Sequence, residues 1–271
     1  MTNITKFLQS VTVLDSETTN MDPKLCEIVE VAGATWDDNW YVESTLLGSY
    51  EEIPFAASAK NNISRKMIAG YPKFDQNVDI VKNILNWDTT KYFVCHNAAY
   101  DRQALKTAFE KINSVTDIEQ CDNLNKWICT WRLSKQILIN EFNDVQFGLS
   151  YLRYRLDLDV SDNIGVHRAA ADTIVCGKLL EKLIEIGIDN GTLDPNSDLG
   201  PQLTELSWKF IPIKTWPIGN KHRGELLTEL TNDYYSWALK TLDQLREDSS
   251  SYDEDLAESV RLVLSARLEN V

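Results

Sequence analysis

Three short apolar runs follow one another near the N-terminus, and they limit the fold more than any other feature of the chain. SVTVLDS (10–16), CEIVEVAGATW (26–36) and NWYVESTLL (39–47) are rich in Val, Ile, Thr, Trp and Tyr, the residue types that suit strands. Asp37-Asp38-Asn39 between the last two supplies a tight turn. A meander of three strands is therefore expected, and after it the pattern changes. NVDIVKNILN (77–86) has apolar residues at 78, 81, 84 and 85, which is helical spacing. KYFVC (91–95) reads as a buried strand, and AAYDRQALKTAFEKI (98–112) as a helix with Asn97 as its N-cap. WICT (127–130) is a further short strand and SYLRYRLDL (150–158) a helix. AADTIVCGKLLEKLIEIG (170–187) lines up Ile174, Val175, Leu179, Leu183 and Ile184 and is expected to stop at Gly187. A meander followed by strand–helix units predicts an α/β fold on a mixed sheet flanked by helices.

The 271 residues allow one large domain or one domain with a small appendage. Gly, Pro and Asp crowd GIDNGTLDPNSDLGP (187–201), which reads as a linker. The expected organisation is thus a main domain over 1–187, a linker over 188–203 and a small C-terminal module over 204–271. A hydrophobic fraction of 43% is enough for a packed core. No apolar run reaches the roughly 20 residues of a membrane span, and the first ten residues do not read as a signal peptide. Five cysteines without a C-x-x-C pair fit a reducing cytoplasm better than disulfides or zinc. The formal net charge of −14 argues against a protein that coats nucleic acid through a broad basic surface.

Three segments hold candidate chemistry. Asp15 and Glu17 end the first strand, and residues two apart on a strand share a face. Two carboxylates placed so repel unless a cation lies between them; a solvated strand end would tolerate them equally well. In VCHNAAYDRQAL (94–105), a buried strand ends at His96 and Asp101 enters the next helix, where α/β sheets place their sites. An exposed Asp favoured by the helix dipole explains Asp101 as well. In GVHRAAADTIV (165–175), His167 and Asp172 would lie roughly 140° apart on one helix. They converge only if His167 sits on a loop before the helix. A capping His beside a dipole-stabilised Asp is the plainer alternative.

Taken together and in this order, D-x-E on a strand, H-N-x-x-Y-D and H-x(4)-D resemble the DEDDh 3′→5′ exonucleases, whose members include the proofreading epsilon subunits of bacterial DNA polymerase III. Val13 to Asn20 is similar to that family's D-T-E-T-T-G block, with Ser16 for Thr and Asn20 for Gly. Asn61-Asn62-Ile63-Ser64, Ala69-Gly70-Tyr71-Pro72, the W-I-C-T strand, Ile218 to Gly224 and Tyr234-Tyr235-Ser236-Trp237 resemble the exodeoxyribonuclease X branch, so the likeness covers most of the chain. The tail match is looser, with Asn220, His222 and Glu225 departing from it. The resemblance implies an RNase H-like mixed sheet and 3′→5′ removal of 5′-mononucleotides from DNA ends. It implies Asp15, Glu17, Asp101 and Asp172 as ligands of two Mg²⁺ or Mn²⁺ ions, Asp15 bridging, and His167 as general base.

DNA 3′ ends, single-stranded or duplex, are the expected partners. RNA trimming and attachment to a polymerase are the alternatives, and no membrane is involved. For substrate, Thr18, Thr19 and Met21 in the turn after Glu17 stand where related enzymes touch the terminal nucleotide. Tyr100 is placed to stack on a base or simply to pack, and His96 reads as structural. Lys60, Arg65, Lys66 and Lys73 lie in an acid-free stretch, as do Lys126, Arg132 and Lys135; either stretch could track phosphates or be plain surface. Lys209, Lys214, Lys221 and Arg223 make 206–224 the only strongly basic stretch of the tail. An accessory contact with nucleic acid or a partner is one reading of it, and a packed turn is the other.

Overall fold

The computed structural model describes residues 2–138, 146–160, 168–217, 221–248 and 254–268, apart from the side chains of 243–248 and 268. The chain divides into two compact units, Met1–Lys209 and Phe210–Val271.

The first unit opens with α1 (Asn3–Leu8), then the meander β1 (Val11–Thr18), β2 (Ile28–Trp36) and β3 (Trp40–Leu46). Three short helices follow, α2 (Phe55–Asn61), α3 (Arg65–Ile68) and α4 (Val78–Ile84). Then come β4 (Tyr92–Cys95), α5 (Ala98–Lys111), α6 (Val115–Asp122), β5 (Trp127–Cys129), α7 (Thr130–Ile137), α8 (Leu149–Arg155), α9 (Ala169–Asp189) and α10 (Leu199–Trp208). The sheet order is β3-β2-β1-β4-β5. The meander pairs antiparallel, while β4 lies parallel to both β1 and β5. This is the mixed sheet expected from the pattern of apolar runs.

Alternation along β1 sends its side chains into two cores, one on each side of the sheet. Val11 and Val13 join Leu179, Leu183 and Ile184 of α9. Leu14 joins Leu85, Trp87, Phe93, Leu105 and Phe109 on the side of α4 and α5. The five cysteines are free and buried. Among the described residues, no helix is long and apolar enough to cross a membrane.

Two local readings need correction. Asn97 does precede α5, but its φ of 80° is left-handed and its side chain makes no cap hydrogen bond. The stretch expected to be linker is largely structured. Helix α9 runs past Gly187 to Asp189, because a side chain at 187 would press on Leu193 and the glycine serves close packing instead of termination. Asp198 caps α10 by accepting from Gly200 N–H at 3.1 Å, and Pro201 sits in the first turn, where it is tolerated. A Cβ on Gly200 would stand 2.2 Å from the Tyr92 ring, so the glycine lets α10 lie against β4. Helix α10 buries Leu199 and Leu203 in the first core, and the unit boundary therefore falls after Lys209.

The second unit pairs residues 214–216 with 224–227 and continues into α11 (Asn232–Asp248) and α12 (Glu254–Leu268). Its core holds Trp216, Leu227, Leu230, Tyr235, Leu242, Leu256 and Val260.

Candidate active site

The site grows from the end of β1. Asp15 and Glu17 continue the face of Val11 and Val13, toward α9. Asp172 lies in the first turn of α9. Asp15, Glu17 and Asp172 each bring an oxygen within 4.8 Å of the others, the only such group among the described residues. Ser16 faces the opposite side, where it meets Asp101 in the first turn of α5. Asp101 Oδ1 accepts from Ser16 N–H at 3.1 Å and Ser16 Oγ–H at 2.7 Å. The two layers thus deliver carboxylates to one strand end from both sides. The β1–β2 register shifts between Glu17 and Thr18, so the ladder is interrupted where the strand leaves the site.

Burial disfavours charge on Asp15, Glu17 and Asp101, and neighbouring carboxylates add to it at the first two. Burial pushes Asp15 well above the usual carboxylate range, and Asp101, Glu17, Asp172 and Glu30 push the same way. Burial also raises Glu17 to about 8, reinforced by Asp172, Glu30 and Asp101 and opposed by Lys60. Asp101 is raised to about 7 by burial, against the two Ser16 hydrogen bonds. An all-oxygen set with this electrostatic demand fits a hard divalent cation such as Mg²⁺ or Mn²⁺.

Residues outside the sequence reading hold the site in place. Glu30 on β2 faces Glu17 across the ladder and is buried. Its carboxylate accepts from Arg168 Nη2 at 2.7 Å and Nε at 3.0 Å, and from Ala169 N–H at 3.2 Å. This clamp ties the first residues of α9, and hence Asp172, to the sheet. Buried Asn61 ends α2 and donates to Thr18 O at 3.3 Å. A buried acid followed 138 residues later by its arginine leaves no local pattern, so periodicity could not have found the pair.

The other expected residues fall as follows. His167 lies outside the described residues. Thr18 is buried, and its hydroxyl meets Asn20 O and the Tyr100 hydroxyl. Tyr100 also donates to Asn20 O, so its hydroxyl shapes the turn after Glu17. Thr19 pairs with Glu27 through backbone and hydroxyl, both at 2.9 Å. Met21 is 75% exposed beside them. Lys66 is exposed on α3, and Lys60, like Arg168, is a basic side chain whose field reaches Glu17. Arg65 pairs with Glu52, Lys73 lies over Tyr50, Lys126 reaches Gln120, Arg132 reaches Lys209 O and Lys135 lies over Trp131. Those five are engaged locally. His96 contacts Thr130 Oγ1 at 3.0 Å and Phe147 O at 2.9 Å, and burial lowers it to about 4, as befits a neutral structural histidine.

The site is thus a five-stranded mixed sheet with carboxylates converging on one strand end from a strand and two helices. The exonuclease (RNase T) family model matches residues 12–180, and the chain belongs to that family. It is 25% identical to the DNA polymerase III epsilon subunit of Treponema pallidum over 175 residues, 64% of this chain and 75% of that one. It is also 25% identical to the PolC-type DNA polymerase III of Thermotoga petrophila over 181 residues, again 64% of this chain but only 12% of the polymerase. Among solved structures, exonuclease X in complex with 5′ overhanging duplex DNA superposes with a TM-score of 0.51 at 20% identity, covering 73% of this chain and 99% of that one. The ExoI–ssDNA complex of E. coli gives 0.52 at 16% identity, covering 65% and 42%. These structures share the RNase H-like fold.

Proposed function

We propose that this chain is a metal-dependent 3′→5′ exonuclease that hydrolyses phosphodiester bonds at DNA 3′ ends and releases 5′-mononucleotides. The observation that carries the reading is the convergence of Asp15, Glu17 and Asp172, with Asp101 adjoining, in a member of the exonuclease family. Asp15, Glu17, Asp101 and Asp172 would hold two Mg²⁺ or Mn²⁺ ions. Bound cations supply the positive charge that stabilises the phosphorane-like state and the leaving 3′-oxygen. His167 takes the proton of the attacking water as its oxygen bonds to phosphorus and the bond to the 3′-oxygen breaks. The turn of Thr18 and Thr19, braced by Tyr100, offers backbone to the terminal nucleotide, and exposed Met21 offers an apolar contact. Lys60 and Lys66 supply positive charge for the strand behind it.

DNA is favoured over RNA because the two structures above were solved with DNA. The likeness to polymerase III chains favours, as a second reading, a proofreading subunit bound to a polymerase. The test is incubation of labelled single-stranded DNA, duplex DNA and RNA with Mg²⁺ or Mn²⁺, with products resolved by size. The expected result is shortening of DNA from its 3′ end by one nucleotide at a time, abolished by chelation. Internal fragments, 5′-end shortening or RNA-only cleavage would overturn the reading. Co-purification of a polymerase would support the proofreading role.

A further inference from the structure

The second unit carries an aromatic cluster that its own core does not enclose. Tyr234 and Trp237 of α11 lie with ring centroids 5.0 Å apart, and Trp216 packs against both at 5.3 and 6.3 Å. Trp216 is buried beneath them, whereas Trp237 is 50% exposed. His222 meets the Tyr234 ring edge-on at 4.3 Å and pairs with Glu225 at 2.8 Å, so this one side chain is docked on the cluster. Lys221 and Arg223 are the exposed chain neighbours of docked His222. Exposed Lys240 follows Trp237 by three residues on α11, so the two share a helix face. Asp233, one turn before Trp237, is the acid of that row, which therefore runs from negative to positive toward Lys240.

A half-exposed indole with one exposed cation on its helix face and two more flanking the docked His222, in a chain of net charge −14, matches a polyanion that also presents flat π-faces. From this we infer that the second unit binds single-stranded nucleic acid, stacking a base on Trp237 while Lys221, Arg223 and Lys240 follow the phosphates. Duplex is disfavoured because its bases are already stacked on one another. Its residues belong to the second unit and the carboxylates of β1 to the first, and its test does not need turnover.

The full chain is titrated in EDTA with fluorescein-labelled oligo-dT, oligo-U and a blunt duplex of equal length, across a salt series. Trp237→Ala is expected to weaken single-strand binding by about tenfold, while Trp237→Phe retains most of it. The double variant Lys221→Glu/Arg223→Glu should flatten the slope of log K against log salt by about 1.4. Loss on either sugar supports the site, and the arm affected more identifies the sugar. Hydrolysis of a dinucleotide, which needs only the carboxylate site, should be unchanged in all three variants. Thermal melts establish that Trp237→Ala folds. Single-strand affinity within twofold of wild type in both Trp237→Ala and the double variant overturns the inference. Equal loss on duplex and single strands after Trp237→Ala also overturns it, since stacking would then not be the interaction.

Discussion

Arg168→Met should cost more stability than Glu30→Gln, although both break the same pair. Glu30 is 2% exposed at its side chain and sits among Asp15, Glu17 and Asp172, so without Arg168 it would be a buried, uncompensated carboxylate. Breaking a fully buried pair this way costs about 3–5 kcal/mol. Arg168 is 38% exposed, so solvent already screens part of the interaction, and about 2–3 kcal/mol is the reasonable figure. The Ala169 N–H bond and the N-terminus of α9 keep some support for the stranded charge. Glu30→Gln removes the charge, keeps an acceptor for Ala169 N–H and frees Arg168 to turn to water, which should cost about 1 kcal/mol. The double variant should therefore recover much of the Arg168→Met loss, with a coupling of about 1–2 kcal/mol. Urea unfolding in EDTA measures all four corners of the cycle. Equal single losses, or additivity within about 0.5 kcal/mol, would refute the claim that Arg168 and Glu30 stabilise the fold as a pair.

Other expectations follow from the same geometry. His167→Ala should lower turnover by about 10²–10⁴-fold while leaving divalent-cation affinity, measured calorimetrically, nearly intact; Asp15→Asn should do the reverse of the second part and weaken that affinity. Gly200→Ala should destabilise by about 1–3 kcal/mol in urea, because its Cβ would overlap the buried Tyr92 ring. Stability without metal should fall as pH rises. Carboxyls raised above their unfolded values favour the folded state most below the unfolded pKa of about 4 and lose that contribution through their folded values, about 7 for Asp101 and about 8 for Glu17. Thermal melts from pH 5 to 9 should show the decline in EDTA and its reduction by Mg²⁺, the rescue being larger at pH 8 than at pH 5; a rise in stability with pH in EDTA would contradict the raised pKa values.

The legible parts of the fold are those where a period or a residue type acts locally. Runs of strand-forming residue types in VTVLDSET and in IVEVAGATW located the two strands that carry Asp15, Glu17 and Glu30. Helical spacing located α9, and with it the turn bearing Asp172. Glycine misled where its role was close approach: Gly187 and Gly200 look like punctuation in sequence but exist because Leu193 and Tyr92 crowd them in space. The Glu30–Arg168 clamp and the Asn61 anchor on Thr18 joined segments 138 and 43 residues apart, and no local pattern marks such a pairing. Basic side chains misled in another way. Charge alone could not separate Lys60, whose field reaches Glu17, from Arg65 and Lys73, which Glu52 and Tyr50 engage.

The strand end explains why so many acids can be assembled on so small a scaffold. Asp15 and Glu17 face α9, Ser16 faces α5, and each helix contributes one acid from its first turn, where the helix dipole offsets part of the repulsion. Hydrogen bonds fix two of the acids: Ser16 holds Asp101, and Arg168 with Ala169 N–H holds Glu30 at the base of α9. The backbone therefore maintains a carboxylate cluster that its own charges oppose, and that opposition is the free energy a divalent cation relieves. The acid excess of the chain and the acidity of the site act in the same direction, and at Glu17 the field of Lys60 opposes both.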